Sequence, residues 1–218
     1  VTQVLLSLMT SMKFSLKTVI SYNNDANFAE RIDMTQYIGI QSDILDNNFA
    51  MQRNSMWCWA ASIQMVLRYY GVAISQEAIV LQSFGKDPWG NIANKPAGFD
   101  VMTRHLNKWG IDVKGGHYEV RAALYPGAPS PSLLLRELKA QRPVLISYQS
   151  RPRMNHAVVC TAAKIAFEHG VPTIKSIVVR DPAPYKKNIE KRGRIEHRAL
   201  TLAQKTAAYW IIRVRKLS

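Results

Sequence analysis

The amino-acid sequence predicts an α+β protein in which a helical lobe faces a lobe built on an antiparallel β-sheet. Segments with apolar residues at helical spacing come first, and after Pro143 the apolar period shifts towards two. The composition is that of an ordinary globular protein, because 47% of the 218 residues are hydrophobic and 20% are charged. These values exclude a chain that is disordered throughout.

The N-terminal segment carries two candidate strands, Lys13–Tyr22 and Tyr37–Ile40, separated by a polar turn region. Neither strand carries an obvious chemical motif. We therefore predict that residues 1–48 form a strand-containing arm or subdomain and that residues 49–218 form the main domain.

Four helices follow in the main domain. The first begins at Cys58 and stops at Gly71, where a glycine suits the end of a helix. The other three are predicted at Ser75–Phe84, from about Asp100 to Trp109, and at Ser130–Gln141.

Strands dominate the C-terminal part, where branched and aromatic residues alternate with polar ones. The candidates are Val144–Tyr148, His156–Ala162, Ile174–Arg180, Ile195–Ala199 and Tyr209–Arg215.

The formal net charge is +14, and residues 121–218 carry all of this excess. Seven of the basic side chains lie between Arg180 and Arg198, including Lys186, Lys187 and Lys191. Such a stretch is either a solvated basic face or an electrostatic docking face for an anionic partner. No helix-turn-helix, RNA-recognition or zinc-finger pattern accompanies it, so we expect an acidic protein substrate rather than specific nucleic-acid binding.

The two cysteines, Cys58 and Cys160, are too few for a disulfide-dense scaffold or a cysteine-rich zinc module. We expect both to be reduced, and we expect no metal and no other cofactor. No apolar run approaches the ~18 residues of a membrane span, so a soluble chain is expected. The chain begins at Val1, which indicates an excised domain or a processed product.

Cys58 stands at the start of the first strong helix, where free backbone N–H groups and the helix dipole favour a thiolate. Gln52 lies six residues earlier, and its amide could join the backbone N–H of Cys58 in holding an oxyanion. The alternatives are an inert buried cysteine and a solvated loop glutamine.

His156 begins an apolar strand and could therefore point into a cleft between the lobes. Asp181 ends a later strand and could accept an imidazole N–H from His156, which would fix the tautomer. The alternatives are a structural histidine and a turn-initiating aspartate before proline. Cys160 shares the strand face of His156, either as a second thiol or metal ligand or as a small core residue.

These residues resemble the papain-like cysteine peptidases. The likeness rests on Gln52, on the run Trp57-Cys58-Trp59-Ala60-Ala61-Ser62, on Asn155-His156-Ala157 and on Asp181-Pro182. It is closest to the compact bacterial branch, similar to the bacteriocin-leader C39 peptidases and the AvrRpt2-type effector proteases, and covers roughly residues 50–185. The resemblance implies a split-lobe fold with Cys58 as nucleophile, His156 as base and acid, Asp181 as orienting residue and Gln52 in the oxyanion hole.

Three departures separate the chain from papain itself. No glycine precedes the cysteine-containing pair, the Cys58 to His156 distance is 98 residues rather than ~130–150, and the third member is Asp rather than Asn. All three suit the compact branch. The resemblance to effector proteases implies a bacterial effector or toxin that is secreted or delivered into another cell and that has a cognate inhibitor or immunity protein.

The same residues allow other functions. A deamidase, an acyl or transpeptidyl transferase and a peptidoglycan amidase all use such a triad. A non-catalytic peptidase-like binding domain is the alternative outside enzymes, although such copies usually lose the cysteine or the histidine.

Overall fold

The computed structural model describes residues 35–168, 171–183, 185 and 189–217 of the chain. The candidate strand Lys13–Tyr22 and the basic residues Lys186 and Lys187 lie outside these ranges. No helix of the described residues is long and apolar enough to cross a membrane.

Strands and helices alternate irregularly along the described chain. Their order is β1 (Gln36–Gly39), α1 (Ser42–Asn48), α2 (Cys58–Tyr69), α3 (Gln76–Phe84), α4 (Phe99–His105), β2 (Lys108–Ile111), β3 (His117–Pro126), α5 (Pro131–Lys139), β4 (Val144–Arg151), β5 (Met154–Glu168), β6 (Val171–Arg180), β7 (Arg194–Arg198), α6 (Ala199–Lys205) and β8 (Thr206–Leu217).

One antiparallel sheet contains the described strands, in the order β2-β3-β8-β4-β5-β6-β7, and β1 pairs with β5. Strand β5 lies between β4 and β6, with Tyr148 opposite His156 and Arg180 opposite Val159. This register brings the first residues of β5 near the end of β6, where Asp181 follows.

The two faces of the sheet belong to two hydrophobic clusters, because successive side chains of a strand point to opposite faces. On β4, Leu145 joins the cluster under α2, α3 and α4, whereas Val144 and Ile146 join the cluster under α5 and α6. Helix α5, predicted as part of the helical lobe, therefore packs on the opposite face of the sheet from α2.

The sequence predicted most of these elements at nearly their observed bounds. The Ser75 and Ser130 side chains cap α3 and α5 by accepting the N–H groups of Ala78 and Leu133. The strands β1 and β4 to β8 form where the apolar alternation placed them, although β5 continues beyond the predicted His156–Ala162 as far as Glu168. The predicted α+β class with an antiparallel sheet is confirmed.

The prediction of the third helix is wrong at the C-terminal end of the helix. The helix was predicted to continue to Trp109, but α4 ends at His105. Strand β2 begins at Lys108 and continues to Ile111. The Asn107 side chain explains the stop, because it donates to the carbonyls of Thr103 and Ala122 and accepts the N–H of Ala122 at 2.8–3.0 Å. These bonds join the end of α4 to β3 and replace further helical turns.

The predicted boundary between residues 48 and 49 stays a prediction. Within the predicted N-terminal segment, β1 pairs with β5, and the short helix α1 supplies Ser42 and Asp46 to the Arg180 guanidinium. The sequence indicated neither α1 nor β3 nor α6.

Candidate active site

Cys58 is the first residue of α2, and the preceding segment fixes where this helix begins. The indole N–H groups of Trp57 and Trp59 donate to the backbone carbonyls of Ala93 and Lys95 at 3.0 and 3.2 Å. Both indoles are only 2% exposed. The thiol is therefore held at a helix N-terminus that is bonded on both sides to the segment 93–95.

Ser62 joins this helix to the strand that carries His156. It lies one turn after Cys58, and its buried hydroxyl donates to the backbone carbonyl of Ala157 at 3.0 Å. Since Ala157 follows His156 directly, this bond sets the spacing between α2 and the start of β5. Ser62 belongs to the sequence run around Cys58 that carries the family likeness, but nothing in that run indicated this bond.

His156 lies between the other two candidate residues. Its Nε2 is 2.7 Å from Oδ1 of Asp181, and its ring lies close enough to the thiol of Cys58 for each group to shift the pKa of the other. Because Nε2 faces the carboxylate, Nδ1 is the ring nitrogen left for the sulfur. The structure thus brings Cys58, His156 and Asp181 together, and the imidazole that interacts with the thiol belongs to His156.

The electrostatics of this chain favour a thiolate–imidazolium pair. Burial alone would raise the pKa of Cys58, but the hydrogen bond and charge of His156 and the backbone N–H groups of Ala157 and Trp59 lower it below its ordinary value. Burial alone would lower the pKa of His156, but Asp181 and Cys58 raise it to about 9. The arrangement can therefore hold a negative sulfur beside a positive imidazole.

The backbone around Asp181 holds its carboxylate towards His156. Its Oδ1 accepts the N–H of Ala183 at 2.8 Å, and its own N–H donates to the carbonyl of Gly193 at 2.8 Å. Gly193 has a φ of +70°, and a Cβ there would lie 2.4 Å from the Phe49 ring and 2.6 Å from the Asp181 carbonyl oxygen. A side chain at this position would therefore displace the loop that fixes Asp181.

Arg180 also stabilises the backbone around Asp181. Its guanidinium bonds Asp46 at 2.5 Å, both the hydroxyl and the carbonyl of Ser42, and the carbonyls of Lys191 and Arg192. Its side chain is only 2% exposed. The sequence analysis counted Arg180 in a surface stretch of positive charge, and this was wrong because the residue is a buried anchor.

Gln52 is buried near the start of α2. Its side-chain NH₂ donates to the carbonyls of Asn54 and Ser55 at 3.0 and 2.9 Å, and its backbone N–H donates to Pro182 at 2.8 Å. The residue therefore links the loop before Cys58 to the loop after Asp181, and its amide is bonded within its own loop. It is not the solvated glutamine of the alternative interpretation.

Tyr148 and His197 complete the surroundings of His156, and the sequence analysis assigned neither to the site. The Tyr148 ring makes edge contacts with both imidazoles, with ring centroids 5.8 Å apart in each case. Burial, with the charges of Asp181 and Cys58, raises the pKa of Tyr148 to about 12. Burial lowers the pKa of His197 and thus disfavours the charged form of this second imidazole. Tyr148 lies opposite His156 in the register of β4 and β5, and strand bounds alone do not give this pairing.

Cys160 lies in the other hydrophobic cluster, away from the thiol of Cys58. It is completely buried, and this burial raises the pKa of its thiol to about 12. Both cysteines are free. Cys160 is therefore the small core residue of the simpler interpretation.

A cavity of about 250 Å³ opens beside Cys58. Its wall is mostly apolar and includes Trp59, Phe99, Met102 and Ala157, with Ser147 and Asn155 as polar members. A chain bound across the thiol could therefore place an apolar side chain in this cavity.

Comparisons with known proteins give one family match and several similar solved structures. The peptidase domain of Streptococcus ComA, a bi-functional ABC transporter involved in a quorum-sensing pathway, matches over 75% of this chain and 96% of its own, with 14% identity and a TM-score of 0.47. No curated protein matches the chain. Residues 44–215, most of the chain, match the Peptidase_C39 like family. The protein therefore belongs to the Peptidase_C39 like family, a family of papain-like cysteine peptidases, as the sequence resemblance implied.

Proposed function

We propose that the protein is an active cysteine peptidase in which Cys58 is the nucleophile, His156 the general base and acid, and Asp181 the orienting residue. The observation that carries the proposal is the placement of His156 between the Cys58 thiol and Asp181, with a distance of 2.7 Å from Nε2 of His156 to Oδ1 of Asp181. The lowered pKa of Cys58 and the raised pKa of His156 support the same roles.

The reaction follows from these roles. The Cys58 thiolate attacks the carbonyl carbon of the peptide bond and forms a tetrahedral oxyanion. The oxyanion collapses, the C–N bond breaks, and the His156 imidazolium gives its proton to the leaving amine. His156, now neutral, takes a proton from water as the water attacks the thioester. The second tetrahedral intermediate releases the carboxylic acid and Cys58 as thiolate, and His156 is an imidazolium again.

The proposed oxyanion hole consists of the backbone N–H of Cys58 and the side-chain NH₂ of Gln52. Support comes from the buried position of Gln52, six residues before the thiol. Its NH₂ also donates to Asn54 and Ser55, so a donor to substrate must come from a shared or released N–H. Such donors matter because one lost oxyanion contact costs about 10²- to 10³-fold in kcat.

The proposed substrate is a peptide or protein with an apolar side chain close to the scissile bond. The support is the largely apolar cavity beside Cys58. Acidic residues elsewhere in the substrate would be attracted by the basic C-terminal half of the chain.

Mass spectrometry of a proteome digested with the protein tests the proposal. Wild-type protein should create new peptide N-termini that the Cys58→Ala variant does not create. Conversion of glutamine to glutamate without cleavage would instead identify a deamidase, and new amide linkages would identify a transferase. Neither cleavage nor modification of any substrate, with Cys58 unreactive towards iodoacetamide, would contradict a catalytic thiol.

The resemblance to effector proteases extends the proposal to a bacterial effector or toxin with a cognate inhibitor or immunity protein. Expression inside recipient cells tests this role. Wild-type protein should arrest growth and Cys58→Ala should not, whereas equal growth with both proteins would contradict a toxic role and leave peptidase activity in vitro unaffected.

A further inference from the structure

A second cavity, of about 440 Å³, lies behind helix α4. Its wall includes Gln82 and Ser83 from α3, Arg104 and His105 from α4, and Lys108 and Trp109 from β2. Two of these side chains are cationic, and no described carboxylate lines the cavity. On the neighbouring strand β3, Glu119 is already bonded to Arg121 and Arg215.

Lys108 is the central cation of this cavity. Its ammonium donates to Oε1 of Gln82 and lies 3.4 Å from Nδ1 of His105. An ammonium has three N–H donors, so one remains without an acceptor among the described residues. Burial lowers the pKa of Lys108 to about 8, because no anion compensates for the water that the ammonium has lost.

His105 cannot serve as the missing anion. Burial and the neighbouring Lys108 lower its pKa to about 3, so the imidazole is neutral. When Nδ1 accepts from Lys108, the proton sits on Nε2, which is buried and has no partner in the part of the chain that the structure describes. Arg104 adds a guanidinium whose one ion pair, with Asp100 at 3.3 Å, is solvent-exposed.

From these contacts we propose that the cavity binds an oxyanion, a phosphate or a carboxylate group, carried by a larger organic ligand. The oxyanion accepts the free N–H of Lys108 and the guanidinium of Arg104, as charge-assisted hydrogen bonds require. The cavity is larger than one inorganic anion needs, and the exposed indole of Trp109, which lines it, covers the rest of the ligand. The site is separate from the thiol, since α4 turns Phe99 and Met102 to the active-site cavity and Arg104 and His105 to this one.

Binding of four probes with one benzene ring tests the proposal, with the indole N–H of Trp109 observed by NMR at constant ionic strength. Phenyl phosphate and benzoate test the two oxyanion sources, and benzyl alcohol and benzylammonium are the neutral and cationic controls. We expect saturable shifts with at least one anion and none with benzylammonium. Equal affinity for benzyl alcohol and both anions would overturn the proposal.

Lys108→Gln should weaken the better anion at least tenfold, whereas Lys139→Gln, an exposed lysine on α5, should not change binding. Lys108→Arg retains a cation and should restore binding if Lys108→Gln loses it. Equal binding by the Lys108→Gln and Lys139→Gln variants would overturn the assignment. Melting temperatures identify any variant that fails to fold, and Arg104→Gln then supplies the second test, with a weaker but measurable loss.

A pH titration with sulfate, which does not itself titrate in this range, gives a separate measurement. Lys108 must be protonated to bind, so affinity should fall as pH rises through about 8. The Lys108→Arg variant should remove this pH dependence. Wild-type affinity that stays constant from pH 7 to 10 would show that Lys108 does not hold the anion. The Cys58→Ala variant should bind all probes like wild type, so these results are independent of peptidase activity.

Discussion

His156 and His105 are both largely buried, yet their pKa values move in opposite directions, to about 9 and about 3. Burial acts on both in the same sense, because it disfavours the charged imidazolium. The difference lies in the neighbours: His156 contacts a carboxylate and a thiol, whereas His105 faces the ammonium of Lys108. The chemical role of a buried histidine in this fold is therefore set by the charge placed against it.

The two cysteines repeat the comparison. Cys160 lies in an apolar cluster, where burial raises the pKa of its thiol to about 12, and Cys58 lies beside His156 at a helix N-terminus, where the pKa is lowered. Burial again acts in the same direction on both thiols, because it raises the pKa of each. Only Cys58 has the cation and the backbone donors that stabilise a thiolate.

The largest expected effect follows from exchanging these cysteines for alanine. Cys58→Ala should reduce kcat/KM by about 10⁴-fold or more, since the nucleophile is lost. Cys160→Ala should keep most of the activity and lose about 1–2 kcal/mol of unfolding free energy, because a small buried side chain leaves a small cavity. Peptidase assays and thermal unfolding of both variants give the answer. A fully folded Cys160→Ala protein without activity would mean that the wrong thiol was assigned.

Removing the carboxylate from His156 should have the next largest effect. Asp181→Asn should lower kcat/KM by about 10²- to 10⁴-fold, because the imidazole loses its orienting partner and the stabilised positive charge. The matched control is Asp43→Asn, an exposed aspartate on α1, which should match wild type.

The pH profile sharpens this test. In wild type, kcat/KM should rise as Cys58 loses its proton and fall as His156 loses its proton near pH 9. Asp181 raises the pKa of His156, so its removal should move the alkaline limb to lower pH. An unchanged alkaline limb in Asp181→Asn would show that another group titrates there.

The reverse experiment supplies a carboxylate to the histidine that lacks one. The Ser83 hydroxyl lies 3.4 Å from Nδ1 of His105, so Ser83→Asp should raise the pKa of His105 by roughly one to three pH units. Ser83→Asn has the same size without the charge and should leave the pKa low. NMR titration of the His105 ring measures both variants. Identical titration of the two proteins would contradict the view that the neighbouring charge decides.

The sequence predicted the local elements best where period and capping agreed. Ser75 and Ser130 are N-cap residues, so each marks where its helix begins. Cys58 begins the helix with the most regular apolar spacing. Helix α4 was predicted too long because Asn107 ends it through bonds to a strand 15 residues away. Such a contact leaves no trace in local periodicity.

The residues of the candidate site also fall into two groups, those that the sequence identified and those that only the folded structure brings together. Cys58, His156 and Asp181 stand at the ends of predicted elements, where motif and spacing identify them. Arg180 was misassigned because a buried arginine and an exposed one look identical in a charge count; its partners Ser42 and Asp46 lie more than 130 residues away. Tyr148 and His197 gather around His156 only through sheet register.

The smallest expected effect concerns the other basic residues of this stretch, among which Lys191, Arg192 and Arg198 are exposed, unlike Arg180. Lys191 is exposed beside the loop that follows Asp181, so its charge acts on an approaching substrate through water. Steering of this kind weakens as the Debye length shrinks from ~10 Å at 0.1 M to ~3 Å at 1 M salt.

We expect kcat/KM on an acidic peptide to fall with added salt, and a neutral peptide of equal length to be less affected. Lys191→Gln should reduce this salt dependence slightly, and the triple change of Lys186, Lys187 and Lys191 to glutamine should remove most of it without altering kcat. The control is Lys139→Gln on α5, outside this stretch, which should behave as wild type. If the triple variant matches wild type on both peptides at every salt concentration, the basic stretch is a solvated face, and attraction of acidic substrates has no part in the function.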